Sequence, residues 1–418
     1  MFSFGVAQRV SARLPLGISV ILAGVILNSA ALAQTGYSGQ AYGTKVTVAP
    51  GQSSITSGTT SVSKICTEST GVSDMNSTAG VNLAGVATTG VIDTSVSSAA
   101  VGSGSDSTAI STVNGLNLLG GLITADAVTS ASTSSVGSNG YSTSPAGTVF
   151  TNAKVLGLPI LLNVAPNTKI SLPGIGFVIL NEQTSKVTSS SASLTVNAVH
   201  IHITLANVLN LPVGSSVIVA HAQSSTMAAV ALLSGFAYGT DVRAAGILDS
   251  GRTADVNLAC TGDSSEETNN VAGVDLPGIL NTGAVHTTAV GTASASSTNG
   301  ETTASVAGLN LLSGLVAATT ITADASASVA SGGGVSLSEN GSVFVGLAVS
   351  GHPEIVNPSP NTHVSIAGLG TLWLNRVIQT STSIEVRMVE LVVNAENTLG
   401  LPIGADVRIA VAKVGLTQ

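Results

Sequence analysis

Charge is what this chain has least of. Only 8% of its 418 residues are Asp, Glu, Lys or Arg, where soluble domains usually carry about 25%. The surface is therefore expected to be clothed in Ser, Thr, Asn and Gly, with few trypsin sites and little repulsion between copies. Aromatics are 3%, with one Trp, at 373. That argues against the aromatic platforms of single-strand nucleic-acid and carbohydrate sites and against the aromatic girdles of an outer-membrane barrel. Basic residues number 13 against 21 acidic, a net charge of −8, which suits a phosphate backbone poorly. The imbalance is local: residues 235–418 hold 6 basic and 15 acidic side chains, and residues 35–224 hold 5 and 6. The 47 glycines interrupt any long helical pattern.

What the chain does have is the same sequence twice. Ala41-Tyr-Gly-Thr44 returns as Ala237-Tyr-Gly-Thr240, Cys66 as Cys260, Gly115-Leu-Asn-Leu-Leu119 as Gly308-Leu-Asn-Leu-Leu312, Pro166-Asn-Thr168 as Pro360-Asn-Thr362, and Leu211-Pro-Val-Gly214 as Leu401-Pro-Ile-Gly404. The domain layout read from this is 36–224 and 235–414, with 225–234 as linker. A short helical candidate, Met227–Leu233, lies inside the linker. Ahead of the repeats, residues 1–33 read as a signal peptide: Arg9 and Arg13, an apolar Leu16–Leu27, and Ala31-Leu-Ala33 as cleavage site. The mature protein is expected to be secreted or held at the cell surface, with no transmembrane segment after cleavage.

Strand signals dominate. Thr44–Val48, Val196–Thr204, Val217–Ala222, Val285–Val290, Ile384–Val393 and Val407–Val411 are β-branched or alternating. Asn114-Gly115, Asn139-Gly140, Asn299-Gly300 and Asn340-Gly341 read as turns. Val199, Ile201 and Ile203 match Val389, Leu391 and Val393, while the residues between them differ, so one face points to a core. The fold expected is all-β: two tandem homologous antiparallel domains, sandwich or barrel-like. A weaker, shorter echo with a period near 35 residues, Val81–Val86 against Leu116–Gly121, leaves a β-solenoid as alternative.

Chemistry common to both copies is scarce. His200-x-His202 puts two imidazoles on one strand face, a metal pair with His221 or a solvated face; the second copy has Glu390 and Val392 there. The solvated face is the reading taken, so no metal, cofactor or catalytic residue is assigned and the chain is not expected to be an enzyme. His286, His352 and His363 are scattered. The cluster Asp263-Ser-Ser-Glu266-Glu267 lacks calcium-loop spacing and reads as a turn. Glu182 aligns with Arg376 and Asp126 with Thr319, so no acid pair for glycoside hydrolysis is shared. The shared amides Asn117/Asn310, Asn167/Asn361 and Asn181/Asn375 are expected to fix turns or strand ends, and Trp373 to be core. Cys66 and Cys260 are either a disulfide across a pseudo-twofold axis or two buried thiols. The Leu-rich segments Leu116, Leu118, Leu119 and Leu309, Leu311, Leu312 either plug the core ends or form a contact edge for another subunit.

Gly39-Gln-Ala-Tyr-Gly-Thr44, Gly115-Leu-Asn-Leu-Leu-Gly-Gly-Leu-Ile-Thr-Ala-Asp126, Pro166-Asn-Thr-Lys-Ile-Ser-Leu-Pro-Gly-Ile-Gly176 and Val178-Ile-Leu-Asn-Glu182 resemble the bacterial choice-of-anchor P group. The likeness runs through most of 36–222 and more loosely through 235–413. It implies an exported region joined to varied C-terminal surface anchors, with no activity attached. Here no LPxTG-type signal, hydrophobic tail or basic end follows the second repeat, so release or non-covalent attachment is expected. The expected role is structural or adhesive, through contacts with itself or other surface components. A module binding a glycan, ice or a small apolar ligand is the alternative.

Overall fold

The structure, a computed structural model, describes residues 34–47, 62–83, 85–207, 211–244, 248–262, 266–397 and 399–417. The signal segment 1–33 and Asp263 lie outside them. The regular structure of the described chain is antiparallel strand, with one short 3-10 turn at Leu119–Gly121 and no α-helix among the described residues.

Each repeat is a two-layer β-sandwich. One layer of the first repeat orders its strands Thr168–Leu172, Gly176–Val187, Ser191–Ile203, Ser216–Ala229, Gln34–Thr47 and Val62–Thr67. The facing layer is built on Ile92–Val101, Gly104–Leu118 and Ile123–Gly137. The second repeat copies this, with Thr362–Ile366, Gly370–Gln379, Ser383–Val393, Asp406–Thr417 and Leu232–Ala244 facing Val285–Ala293, Ser297–Leu311 and Val316–Ala330. The first and last strands of each repeat pair side by side, Gln34 opposite Ala229 and Leu232 opposite Thr417. Successive solenoid coils would not bring a repeat's ends together in this way, and no sheet closes into a barrel among the described residues.

The linker and its helix are corrected. Met227–Ala229 finishes one strand and Leu232–Leu233 begins the next, leaving only Val230 and Ala231 between. All of these side chains except the half-buried Ala228 are buried. The repeats therefore abut without a tether, because these apolar side chains fill the junction. Cys66 and Cys260 meet there as a disulfide, with Cα atoms 5.8 Å apart. Gly36 faces Leu232, its own counterpart in the other copy, so closely that a Cβ on it would lie 2.3 Å from Leu232 Cδ2. Equivalent residues touching each other is the signature of a pseudo-twofold axis.

The core of the first repeat changes along its length. Away from the junction it is Leu, Ile, Val and Phe. Towards the junction it narrows to Ala41, Ile65, Val96, Ala109 and Ala222, among buried serines. There Ser107 Oγ donates to Ser38 O (2.7 Å), Ser111 Oγ to Tyr42 O (2.9 Å) and Ser132 Oγ to Leu194 O (2.7 Å). Hydroxyls expected only on the surface thus also stitch the layers together, their burial offset by the bonds they make.

A kink crosses the first-named layer of each sandwich. Asn181 (φ 50°) and Ala220 (φ 53°) have left-handed backbone in mid-strand, as do their counterparts Asn375 (φ 50°) and Ala410 (φ 50°). Pairing skips a row at Asn181, Ala198, Ala220 and Gly43, and again at Asn375, Met388, Ala410 and Gly239. Such bulges reverse which residues face inward. Leu194, Val196, Ala222 and Ser224 are buried on one side of the row; Val199, Ile201, Val217 and Val219 are buried on the other. Asn181 and Asn375 therefore serve the kink, whereas Asn167 and Asn361 do sit in turns, accepting from Gln183 N (2.8 Å) and Val377 N (3.0 Å). Asn139-Gly140 and Asn340-Gly341 also lie at turns; Asn114-Gly115 and Asn299-Gly300 lie inside strands.

Candidate functional site

The face of the kinked layer turned away from the core carries the densest polar chemistry, and it differs between copies. Beside the kink of the first repeat, register sets Glu182, Asn197, His221 and Tyr42 in one row across four strands. Asn197 Nδ2 donates to Glu182 Oε2 (2.7 Å), and Asn197 Oδ1 lies 2.7 Å from His221 Nδ1. With the amide oxygen as acceptor, His221 carries its proton on Nδ1. Its ring is buried and stacks on Tyr42 with centroids 4.2 Å apart. Burial, reinforced by the Lys45 charge, holds His221 down to about 3, so it is neutral at ordinary pH. Burial likewise raises the Tyr42 hydroxyl, helped by the Glu182 charge.

His200 joins the row from one side, its Nδ1 2.7 Å from Glu182 Oε2. His202 follows two residues on, with ring centroids 4.0 Å from His200 and 4.6 Å from Phe177, while Lys169 Nζ sits 3.6 Å from the Phe177 ring centre. His202 Nε2 is buried and has no hydrogen-bond partner. The hydrogen bond from His200, then that from Asn197, pulls the Glu182 carboxyl below its usual range; burial and the His200 charge lower His202. The donor atoms of Glu182, His200 and His202 all lie within 4.8 Å of one another. His221, the third histidine considered from sequence, is held apart by Asn197, and Glu182 stands where it was expected. His286, His352 and His363 pair instead with Asn270, Glu354 and Trp373.

The second repeat reverses the polarity of this face. Arg376 occupies the place of Glu182 and Glu390 that of His200. Glu390, 2% exposed, is gripped by Arg376 and by Arg387 (2.5 Å), with Arg408 at 3.6 Å. Arg387 also bonds Glu385 and Arg408 bonds Asp406, so the lattice satisfies most of its buried charge. Trp373 belongs to this outer face, not to the core: it is half-buried, meets the His363 ring at a tilt with centroids 4.8 Å apart, and lies under the Arg376 guanidinium.

A second polar feature lies in the other layer of the second repeat. Asp324, 8% exposed, neighbours Glu301 beside a groove of about 280 Å³ lined by Asn299, Glu301, Ser326, Ser328 and Ser338. Burial and the neighbouring Glu301 push the Asp324 carboxyl up to about 7. A raised acid is more protonated in the folded state, so its contribution is full below the unfolded value near 3.8 and is lost as pH rises to about 7. Between pH 4 and pH 7 stability is expected to fall by about 3 kcal/mol. In Asp324→Asn the fall should vanish, which urea unfolding at pH 4 and pH 7 will read; an equal fall in the variant would refute the assignment.

The Leu-rich contact edge is corrected: Leu116, Leu118, Leu119, Leu309, Leu311 and Leu312 are all buried, none more than 8% exposed. They sit at inward positions where paired strands end, and plug the cores. Exposed apolar residues are found elsewhere: Leu158, Leu161 and Leu162 at 68, 79 and 55%, with Leu205 and Val213, form one group, while Met75 and Val101 are exposed singly on other strands.

No family model matches the sequence, and no curated protein matches it. Among solved structures, the chain aligns with Pseudomonas aeruginosa OccK9 (OpdG) over 92% of its own length and 98% of that chain, at 8% identity and a TM-score of 0.12, a likeness too slight to carry an argument.

Proposed function

We propose that this is an exported, non-catalytic structural or adhesive protein whose sandwich poles associate with further copies or with other surface components. The observation that carries the reading is a group of exposed apolar residues at the far end of each repeat. Ser107 and Ser111 bond to Ser38 and Tyr42, so strand Gly104–Leu118 runs alongside Gln34–Thr47. The turn after Leu118 therefore lies at the end where Thr47 pairs with Ser216, away from the junction. Leu156 N bonds Leu122 O (2.7 Å), which brings the loop bearing Leu158, Leu161 and Leu162 to that pole; Leu205 and Val213 flank the strand ends there. Val356, Leu399 and Ile403 are exposed in the matching loops of the second repeat. A twofold pair with an apolar patch at each far end is a bivalent unit, and exposed patches of this kind mark contact sites.

Three further points support the reading. A disulfide between the copies suits an oxidising compartment outside the cytosol. Apart from the shared Tyr42 and Tyr238, the ionisable residues of the two copies differ at the equivalent positions of this face (Glu182 against Arg376, His200 against Glu390, His202 against Val392), as a shared scaffold without shared catalysis would. The likeness to the choice-of-anchor P group points the same way. Light scattering across a concentration series is the test. Mass should grow with concentration, and Leu161→Asp with Leu162→Asp should lower it towards that of one chain. A wild-type mass of one chain at every concentration would remove self-association from the proposal.

A further inference from the structure

We propose that Glu182, His200 and His202 form a site for a late first-row divalent metal ion, zinc foremost, present in the first repeat alone. Two imidazoles and one carboxylate are a donor set that such ions favour over calcium or magnesium. The three side chains come from two adjacent strands, Gly176–Val187 and Ser191–Ile203, so a rigid sheet places them, not a loop. Their donor atoms already lie within 4.8 Å of one another, and small rotations bring them to the ~2.0–2.2 Å that zinc requires.

Two independent features point to a ligand. His202 Nε2 is enclosed yet has no hydrogen-bond partner, although burying an unpaired ring nitrogen is costly; an ion would supply what it lacks. Glu182 is braced from behind: Asn197 donates to the same carboxylate oxygen that faces His200, and His221 occupies the other end of Asn197. Such outer bonding orients first ligands in metal sites. Both rings that would bind are held in place as well, His202 between His200 and Phe177. All three residues are half-buried, which leaves a fourth position open to solvent. In the second repeat Arg376, Glu390 and Val392 stand at these positions and offer no such set.

The test is calorimetric titration of the untagged full chain, dialysed against chelator, with Zn²⁺. One saturable site per chain is expected. Glu182→Gln and His202→Ala should abolish it, and Asn197→Ala should weaken it by roughly tenfold. Nitrogen-15 spectra of the wild-type imidazoles provide a readout independent of any variant: the ring signals of His200 and His202 should shift on Zn²⁺ addition, with those of His286 and His363 unmoved. No saturable uptake, uptake undiminished in His202→Ala, or shifts confined to other histidines would each overturn the proposal.

Discussion

Acidification from pH 7 to pH 4 is expected to strip about 3 kcal/mol from the folded protein through His221 alone. The imidazole is buried against Tyr42 and Asn197, and its folded value lies at about 3, well below the 6.5 of a free histidine. The unfolded chain therefore takes up the proton first. The contribution of neutral His221 is complete above about pH 6.5 and drains away as pH falls towards 3. The groups facing the ring do not alter that sign: Lys45 and His200 reinforce burial in opposing protonation, which outweighs the opposite pull of Glu182 and of the Gln223 hydrogen bond. Other groups, Glu182 and Glu385 among them, also lose favourable contacts in acid. The decisive quantity is accordingly the difference between wild type and His221→Gln, whose amide can still donate to Asn197. Urea unfolding of both at pH 7, 5 and 4 should show the gap between them changing by about 3 kcal/mol. Parallel curves would mean that His221 is solvated in the native state. Asp324 works in the opposite direction, within a repeat whose Glu385 loses its favourable contacts in acid.

Gly239→Ala should cost about 3 kcal/mol, and Gly43→Ala a similar amount, at the upper end of what an added core methyl does. Both glycines lie in the kinked row, where the first strand of each repeat presses against the facing layer. A Cβ on Gly239 would stand 2.1 Å from Val285 Cγ1; one on Gly43 would stand 2.4 Å from Ile92 Cγ2. Val285 and Ile92 are each 1% exposed, so neither can swing aside. Relief must come from separating the layers or from repacking. The double variant Gly239→Ala with Val285→Ala should therefore be more stable than the sum of the two single losses allows, a coupling that a double-mutant cycle measures directly. Additive losses would show that the layers are not in contact at this row.

The two copies also show why comparing repeats is a blunt filter for function. Glu182 is set aside as a functional residue on sequence grounds because Arg376 replaces it. Once the strands are in register, a paired exchange is visible: acid on one strand and base on the next in the first copy, base and then acid in the second. Each column changes sign on its own, and only the pair keeps its meaning. A residue lacking a counterpart can thus be a local specialisation of one copy.

Length, duplication, the all-β class and the inward face of Val199, Ile201 and Ile203 with Val389, Leu391 and Val393 are legible in the chain itself, since alternation and β-branching are local and a repeated pattern is read twice. The same local rule breaks at Asn181, Ala220, Asn375 and Ala410, where left-handed backbone in mid-strand reverses the faces; Asn tolerates that conformation, but nothing about Ala announces it. Whether Cys66 bonds Cys260 depended on where a junction strand and a turn 194 residues further along the chain would meet. Whether Leu116 and Leu309 were edge or core depended on which layer covered them. Glu182 joined His200 and His202 only through antiparallel pairing of neighbouring strands. Local sequence determined the strands and their repetition, because side-chain period and turn chemistry act over a few residues. Tertiary structure decided the junction, the kink and the histidine site, because each is made by residues that only strand register and layer packing bring together.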